Sequence, residues 1–121
     1  MSDASTTVAD LRAALTAFVA EREWQMYHDA KNLSGSILIE AAELLEHFQW
    51  VRNDELPALL QNTQKRAEIA EELADVTCYV LSLANVLDID LSGAVLDKIA
   101  KNARKYPADK FRGRYFKPGA P

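Results

Sequence analysis

Apolar residues recur at spacings of three and four along most of this chain, and glycine and proline rarely interrupt them. The 121 residues include four glycines and four prolines, and residues 58–92 contain neither. This spacing places the apolar side chains on one face of an α-helix, whereas no segment shows the alternation that is typical of a strand. The sequence therefore predicts an all-α fold. Because the loops between the helices are short, we expect an antiparallel four-helix bundle.

Four helices are predicted, at about residues 8–24, 33–51, 64–87 and from 90 or 92 to 105. Thr7 is the expected N-cap of the first, with Asp10 three residues later as in a capping box. Pro107 ends the fourth, because proline disfavours helical backbone at the residue before it. A polar loop is expected after residue 51, and the remaining irregular segments are predicted at residues 1–6, 27–32 and 108–121. The whole chain, residues 1–121, is predicted to form one domain.

Composition and charge narrow the classes of protein to which the chain can belong. Its formal net charge of −4 argues against nucleic-acid binding as its main role. No apolar run reaches membrane-spanning length, and the first residues lack the basic and then apolar order of a secretion signal. Cys78 is the single cysteine, so an internal disulfide is excluded, and we expect a buried thiol. These features predict a cytoplasmic protein with neither nucleic acid nor a membrane as partner.

Two of the predicted helices each carry a pair of acidic residues three positions apart: Glu40 with Glu43, and Glu72 with Asp75. Each pair borders the apolar stripe of its helix, so packing the stripes together brings the four carboxylates to one side of the seam. Neither segment contains a lysine or arginine near its pair, although solvated helix surfaces usually alternate in charge. A divalent cation would offset the repulsion between these acids, and carboxylate oxygens suit Mg²⁺, with Mn²⁺ as a possibility.

Two other interpretations of the acidic pairs stay open at this point. A solvated acidic face would leave the chain as a non-catalytic helical module that binds a nucleotide or another partner. A di-iron carboxylate bundle requires Glu-x-x-His on two helices. His47 follows Glu43 by four residues, and the third predicted helix contains no histidine, which argues against iron. Since Mg²⁺ takes phosphate oxygens as further ligands, a magnesium site favours a phosphorylated substrate.

Three segments carry a resemblance to a known family: I-E-A-A-E-L-L-E-H-F-Q-W, E-E-L-A-D-V-T-C-Y-V and K-N-A-R-K-Y-P. Over about residues 18–107 the chain resembles the all-α nucleoside triphosphate pyrophosphohydrolases of the MazG-like superfamily, and among them the dCTP pyrophosphatases. The resemblance implies a Mg²⁺-dependent enzyme that converts a dNTP to the dNMP and pyrophosphate and so cleans the nucleotide pool. The implied substrate is dCTP or a related or modified pyrimidine nucleotide. A homodimer or homotetramer is also implied, with a neighbouring subunit completing the base pocket.

The resemblance further implies roles for individual residues. The implied Mg²⁺ ligands are Glu40, Glu43, Glu72 and Asp75. The implied catalytic residues are Glu43, Glu71 and Glu72, of which Glu71 would orient or deprotonate the attacking water. The implied substrate-binding residues are Trp24, His28, Lys31, Trp50, Tyr79, Lys98 and Asn102. Aromatic rings would stack on the base, while the basic and amide groups would meet the phosphates.

Two positions depart from the family pattern, and both bear on the choice of base. Leu15 stands where some relatives have a histidine, and Asp29 stands where a neutral residue is expected. Taken without the resemblance, the rings of Trp24, Trp50 and Tyr79 are expected to be core side chains.

Overall fold

A computed structural model describes residues 1–116, which contain six α-helices, two short 3₁₀ helices and no strand. The α-helices are α1 (Val8–Glu21), α2 (Ala30–Glu46), α3 (Leu56–Gln61), α4 (Thr63–Leu87), α5 (Leu91–Lys105) and α6 (Ala108–Phe111), and the 3₁₀ helices are Gln25–Tyr27 and Asn53–Glu55. The prediction of an all-α chain is confirmed. Within this part of the chain, no helix by itself is both long and apolar enough to cross a membrane. The end of the predicted irregular tail, residues 117–121, lies outside the described residues.

The predicted capping box starts α1. The Asp10 backbone N–H donates to Thr7 Oγ1 at 3.1 Å, and the Thr7 backbone N–H donates to Asp10 Oδ2 at 2.9 Å. The helix ends at Glu21, three residues before the predicted end. Glu23 explains the difference, because its φ of 53° lies in the left-handed region, which does not continue an α-helix.

Asp29 is the N-cap of α2. Its Oδ1 accepts a hydrogen bond from the backbone N–H of Asn32 at 2.8 Å, which satisfies one of the free donors of the first turn. The helix therefore begins at Ala30, and the prediction of a loop throughout residues 27–32 is wrong. The acid that departs from the family pattern has a structural role in starting this helix.

The segment between α2 and α4, residues 47–62, differs from its prediction. The Phe48 N–H bonds to the Leu45 carbonyl at 2.9 Å, so the backbone here forms three-residue turns and α2 stops before the predicted end. Pro57 lies in the first turn of α3, where a helix tolerates proline because the N–H is not needed. The prediction of a loop is therefore wrong for Leu56–Gln61.

Helix α4 is the longest element, with 25 residues, and it packs against α1, α2 and α3. Asn62 caps its start by accepting the Lys65 N–H at 3.0 Å, and Asp88 ends it with a left-handed φ of 52°. His47, at the end of α2, lies beside Glu72, whereas the earlier α2 residue Glu40 is close to Asp75. Helices α2 and α4 therefore run antiparallel, as predicted.

Buried apolar side chains and one polar link hold α1 and α2 to α4. Leu33 of α2 and Leu81 and Ala84 of α4 are buried. The Arg12 Nε donates to Asn85 Oδ1 at 2.7 Å, and a second Arg12 nitrogen donates to the Ala84 carbonyl at 3.1 Å. The Asn85 Nδ2 in turn donates a hydrogen bond to the Arg12 carbonyl at 3.1 Å. This link fixes α1 against the C-terminal half of α4.

The contacts divide the chain into two units, Met1–Asp88 and Ile89–Pro121, the second described as far as Phe116. The first unit contains α1 to α4. The second contains α5 and α6, and within it the Tyr106 and Phe111 rings pack edge to face at 5.3 Å. The prediction of irregular backbone from residue 108 onward is wrong for Ala108–Phe111, because these residues form α6. The single domain and the four-helix bundle stay predictions.

Candidate functional site

Acidic side chains from α2 and α4 converge on one point of the first unit. Glu40, Glu43 and Glu72 each offer a carboxylate oxygen, and these oxygens all lie within 4.8 Å of one another. Asp75, one turn after Glu72, is exposed and lies close enough for its charge to affect Glu40 and Glu72. The structure thus gathers three of the four predicted ligands and places the fourth beside them. We call these four residues the acid cluster.

Two oxygens of the acid cluster are buried and have no hydrogen-bond partner: Glu40 Oε2 and Glu72 Oε2. A buried carboxylate oxygen without a donor is unfavourable. His47, whose role the sequence did not indicate, has its Nε2 3.9 Å from Glu72 Oε1. A positive charge at this ring lowers the pKa of Glu72 but does not cancel the upward shift from the other groups. The cluster therefore has unmet capacity for a cation.

Hydrogen bonding, burial and like charge raise the pKa values within the cluster. For Glu40, the hydrogen bond with Glu43 is the largest cause, followed by burial and by the charges of Glu43, Asp75 and Glu72. Together they raise the pKa of Glu40 from 4.5 to about 7. For Glu72, burial is the largest cause of a raised pKa, followed by the charge of Glu43. The cluster therefore holds a proton near neutral pH, which a bound cation would displace.

The donor set of the cluster fits a hard divalent cation. All its ligand atoms are carboxylate oxygens, which Mg²⁺ and Mn²⁺ prefer over the sulfur and imidazole donors that softer metals favour. A cation would also satisfy the two buried oxygens of Glu40 and Glu72 that have no donor. The residues present are thus suited to the metal that the sequence predicts.

A cleft of about 680 Å³ lies next to the acid cluster, between α1 and α4. Asp75 lines it, so the cleft and the cluster adjoin. Trp24, His28 and Tyr79, three of the predicted substrate-binding residues, also line it. Most of the other lining side chains are apolar, and a cleft of this size and character is typical of a small-molecule site. We call it the aromatic cleft.

The rings at one end of the aromatic cleft are held against one another. The Trp24 and His28 rings are stacked, with centroids 6.4 Å apart and an interplanar angle of 23°. Phe18 meets Trp24 edge to face at 5.9 Å, and the Arg22 guanidinium lies 3.8 Å from the centroid of the Phe18 ring. Trp24 is nevertheless 42% exposed, so it is not a core side chain and has surface available to a ligand.

The remaining predicted residues belong neither to the acid cluster nor to the lining of the aromatic cleft. Trp50 is 84% exposed and does not line the aromatic cleft. Lys31 is exposed in the first turn of α2, and Glu71 is exposed on α4 outside the three clustered glutamates. Lys98 and Asn102 lie on α5, in the second unit. The substrate and catalytic roles of these five residues stay predictions.

Cys78 is exposed and lines the aromatic cleft, so the expectation of a buried thiol is wrong. It lies three residues after Asp75 and therefore shares the face of α4 that borders the cleft instead of facing the core. Partial burial, and then the charge of Asp75, raise the pKa of the thiol. This helical register was the signal in the sequence that could have placed Cys78 in the site.

The sequence model of the MazG-like family matches residues 36–115, which include the acid cluster. The chain belongs to the MazG-like family. The resemblance noted in the sequence is confirmed.

Curated relatives of this MazG-like chain include the dCTP pyrophosphatase 1 proteins of Bos taurus and Homo sapiens. The bovine protein is 37% identical over 107 residues, which cover 88% of this chain and 63% of the relative. The human protein is 39% identical over 102 residues, which cover 84% of this chain and 60% of the relative.

A solved structure is also similar to this MazG-like chain. It is the crystal structure of a pyrophosphatase from Archaeoglobus fulgidus, with 46% sequence identity and a TM-score of 0.76. The match covers 82% of this chain and 91% of the archaeal one. In contrast, the chain spans less than two thirds of the length of the curated relatives it matches.

Proposed function

We propose that this MazG-like chain is a Mg²⁺-dependent nucleotide pyrophosphohydrolase that converts a dNTP to the dNMP and pyrophosphate. The proposed substrate is dCTP or a related or modified pyrimidine nucleotide. The observation that carries the proposal is the convergence of Glu40, Glu43 and Glu72 beside the aromatic cleft. The names of the curated relatives, dCTP pyrophosphatase 1, support the reaction and the type of nucleotide, and the name of the archaeal pyrophosphatase supports the reaction. A role in cleaning the nucleotide pool of the cytoplasm follows as part of the proposal.

The acid cluster would hold the metal, which Glu40, Glu43, Glu72 and Asp75 would share. When bound, Mg²⁺ neutralises negative charge on phosphate oxygens and lowers the pKa of a bound water. In the proposed reaction a water oxygen forms a bond to the α-phosphorus while the bond to the α–β bridging oxygen breaks. Pyrophosphate leaves with that oxygen, and a carboxylate accepts the proton of the water. Glu71, which precedes Glu72 on α4, is the predicted acceptor.

The aromatic cleft would hold the base. Stacking of a base on an aromatic side chain is worth about 1–3 kcal/mol, and it requires only a ring with an available face. Trp24 and Tyr79 supply such rings in the cleft that Asp75 also lines, so the base and the triphosphate would occupy adjoining parts of the first unit. Lys31 would add positive charge for the phosphates, and the roles of Lys98 and Asn102 that the resemblance implies stay predictions.

A panel of nucleotides tests this function directly. Each canonical dNTP and NTP, and several modified pyrimidine dNTPs, are incubated with the protein and Mg²⁺, and pyrophosphate is measured separately from inorganic phosphate. We expect pyrophosphate from a pyrimidine dNTP and none with excess EDTA. Glu43→Gln should abolish it, whereas Glu46→Gln removes an exposed charge from the same helix and should not. Release of single phosphates, or full activity with EDTA, would exclude the proposed enzyme. Mg²⁺-dependent nucleotide binding without hydrolysis would favour the non-catalytic module.

The surface of the chain supports self-association, which we propose as a homodimer or homotetramer. Large apolar side chains are exposed on α2, among them Leu38 at 72% and Leu45 at 61% exposure. Exposed apolar area of this extent usually marks an interface. Sedimentation at micromolar concentration should therefore show a dimer or tetramer, and a monomer alone would refute this part of the proposal.

A further inference from the structure

Ser82 is a buried polar residue that the proposed function does not yet use. The residue is 6% exposed on α4, where Leu81 and Ala84 are buried as well. Within residues 1–116, its hydroxyl makes no hydrogen bond. A serine inside a helix usually bonds a carbonyl one turn earlier, as Thr77 does with the Leu73 carbonyl at 2.8 Å. The Ser82 hydroxyl thus keeps both its donor and its acceptor capacity.

The position of Ser82 directs this hydroxyl toward a ligand space. Ser82 lines the aromatic cleft and also a second cleft of about 240 Å³. Leu15, Val19 and His28 line both clefts as well, so Ser82 lies at their common wall. Leu15 and Val19 offer no hydrogen bond to a ligand at this wall. A polar ligand atom placed there could instead bond to the Ser82 hydroxyl.

Helical register fixes the distance from Ser82 to the acid cluster. Asp75 and Ser82 are seven residues apart, which is almost two turns, so both side chains lie on one face of α4. The rise between them along the helix is about 10 Å. This distance is comparable with that from the α-phosphate of a nucleotide to the far edge of its base. A triphosphate at Asp75 would therefore extend its base toward Ser82.

The chemistry of a pyrimidine identifies the atom that would meet Ser82. The base is joined to deoxyribose through N1, and position 4 lies directly across the ring, farthest from the phosphates. In cytosine the 4-amino group donates hydrogen bonds, and the Ser82 hydroxyl oxygen can accept one. A base without a polar group at this position would leave the hydroxyl buried and unpaired, which is unfavourable.

We propose that Ser82 is a specificity-determining residue that hydrogen-bonds the polar group at position 4 of a pyrimidine base. The inference rests on the proposed function, since it assumes that the triphosphate lies at the acid cluster. A merely structural role for Ser82, as a small residue that lets α1 approach α4, is the contrasting explanation. Ser82→Ala separates the two, because alanine keeps the small size and removes only the hydroxyl.

The test combines this substitution with a change in the substrate. Wild type and Ser82→Ala are compared on dCTP and on its analogue with hydrogen in place of the 4-amino group. On dCTP the variant should lose about two- to tenfold in kcat/KM, which corresponds to one neutral hydrogen bond. Wild type should lose a similar factor on the analogue, and Ser82→Ala should lose nothing further there. Ser34→Ala is the matched control, because its hydroxyl bonds the Ala30 carbonyl at 2.7 Å away from both clefts.

Binding measurements distinguish failure of this inference from failure of the proposed function. Calorimetry with the α,β-imido analogue of dCTP gives a Kd for each variant whether or not the protein hydrolyses nucleotides. If nucleotide binds but no pyrophosphate forms, the proposed reaction is refuted. The role of Ser82 is then tested by comparing the Kd values of wild type and Ser82→Ala. Equal values for wild type and Ser82→Ala, or losses that simply add between variant and analogue, would overturn the role of Ser82. Absence of any nucleotide binding would refute both.

Discussion

Binding of Mg²⁺ to the acid cluster should release protons, and most of them should come from the carboxyl group of Glu40. In the cation-free protein the hydrogen bond with Glu43, burial and the neighbouring acids raise the pKa of Glu40 to about 7. Such a group is about nine-tenths protonated at pH 6 and about one-tenth protonated at pH 8. Because Mg²⁺ binds the ionised carboxylate, Glu40 should release about 0.9 proton at pH 6 and about 0.1 proton at pH 8. The pKa of Glu72 is also raised, by burial first and then by the charge of Glu43.

Calorimetry measures this proton release directly. The heat of Mg²⁺ binding is recorded at each pH in two buffers with different ionisation enthalpies, and the difference gives the number of protons. Glu40→Gln cannot carry the proton, so its release at pH 6 should fall by about 0.9. Glu46→Gln on the same helix is the control and should keep the wild-type value. A release that stays constant from pH 6 to pH 8, or that Glu40→Gln leaves unchanged, would refute the reasoning.

The raised pKa of Glu40 also determines whether the free energy of unfolding rises or falls with pH. The folded-state pKa of Glu40, about 7, lies above its ordinary value of 4.5, so the folded chain binds more protons than the unfolded chain between these values. The free energy of unfolding of the cation-free protein should therefore fall as pH rises through this window. Mg²⁺ should oppose the fall because it stabilises the ionised form. Urea unfolding at pH 5 and pH 7.5, with and without Mg²⁺, measures both effects.

Three further substitutions test separate parts of the site and fold. Asp75→Asn should lower pyrophosphate release by about 100-fold or more while circular dichroism stays unchanged, because it removes a carboxylate that would hold the metal next to the reacting phosphate. Trp24→Ala should weaken binding of a non-hydrolysable dNTP by about 1–3 kcal/mol in calorimetry, through loss of base stacking. Arg12→Ala should lower the free energy of unfolding by about 1.5–3 kcal/mol in a urea titration, because the charged hydrogen bonds to Asn85 and the Ala84 carbonyl are lost. Unchanged values in these assays would contradict the corresponding roles.

The long helices and the acid cluster could be predicted because their signals are local. Apolar spacing and the Thr7 capping box follow from helical geometry, which acts over a few residues. Glu40 with Glu43 and Glu72 with Asp75 lie at helical neighbour positions that border apolar stripes. Packing those stripes together brings the acids close, and the structure shows that outcome for three of the four.

The parts that the sequence did not predict depend on contacts between elements or on single backbone angles. The left-handed backbone of Glu23 shortens α1, although glutamate itself has no preference for that region. The sequence favours a loop around Pro57, yet this residue lies in the first turn of α3, since proline suits both places. Cys78 and Ser82 border a cleft that forms only where α1 and α4 meet, and an apolar stripe does not reveal which of its members face an opening.

Within the proposed site, α4 connects the chemistry to the choice of base. It carries Glu72 and Asp75 near its middle and Ser82 almost two turns beyond, so the separation of metal and base contacts is set by the helix itself. A shift of one residue between them would rotate Ser82 by about 100° away from the cleft and would separate the two functions. The opposite wall comes from α1, which Arg12 fixes to α4 and on which Leu15 faces the same cleft. Changes on α1 should therefore alter which base fits while leaving the acid cluster on α2 and α4 intact.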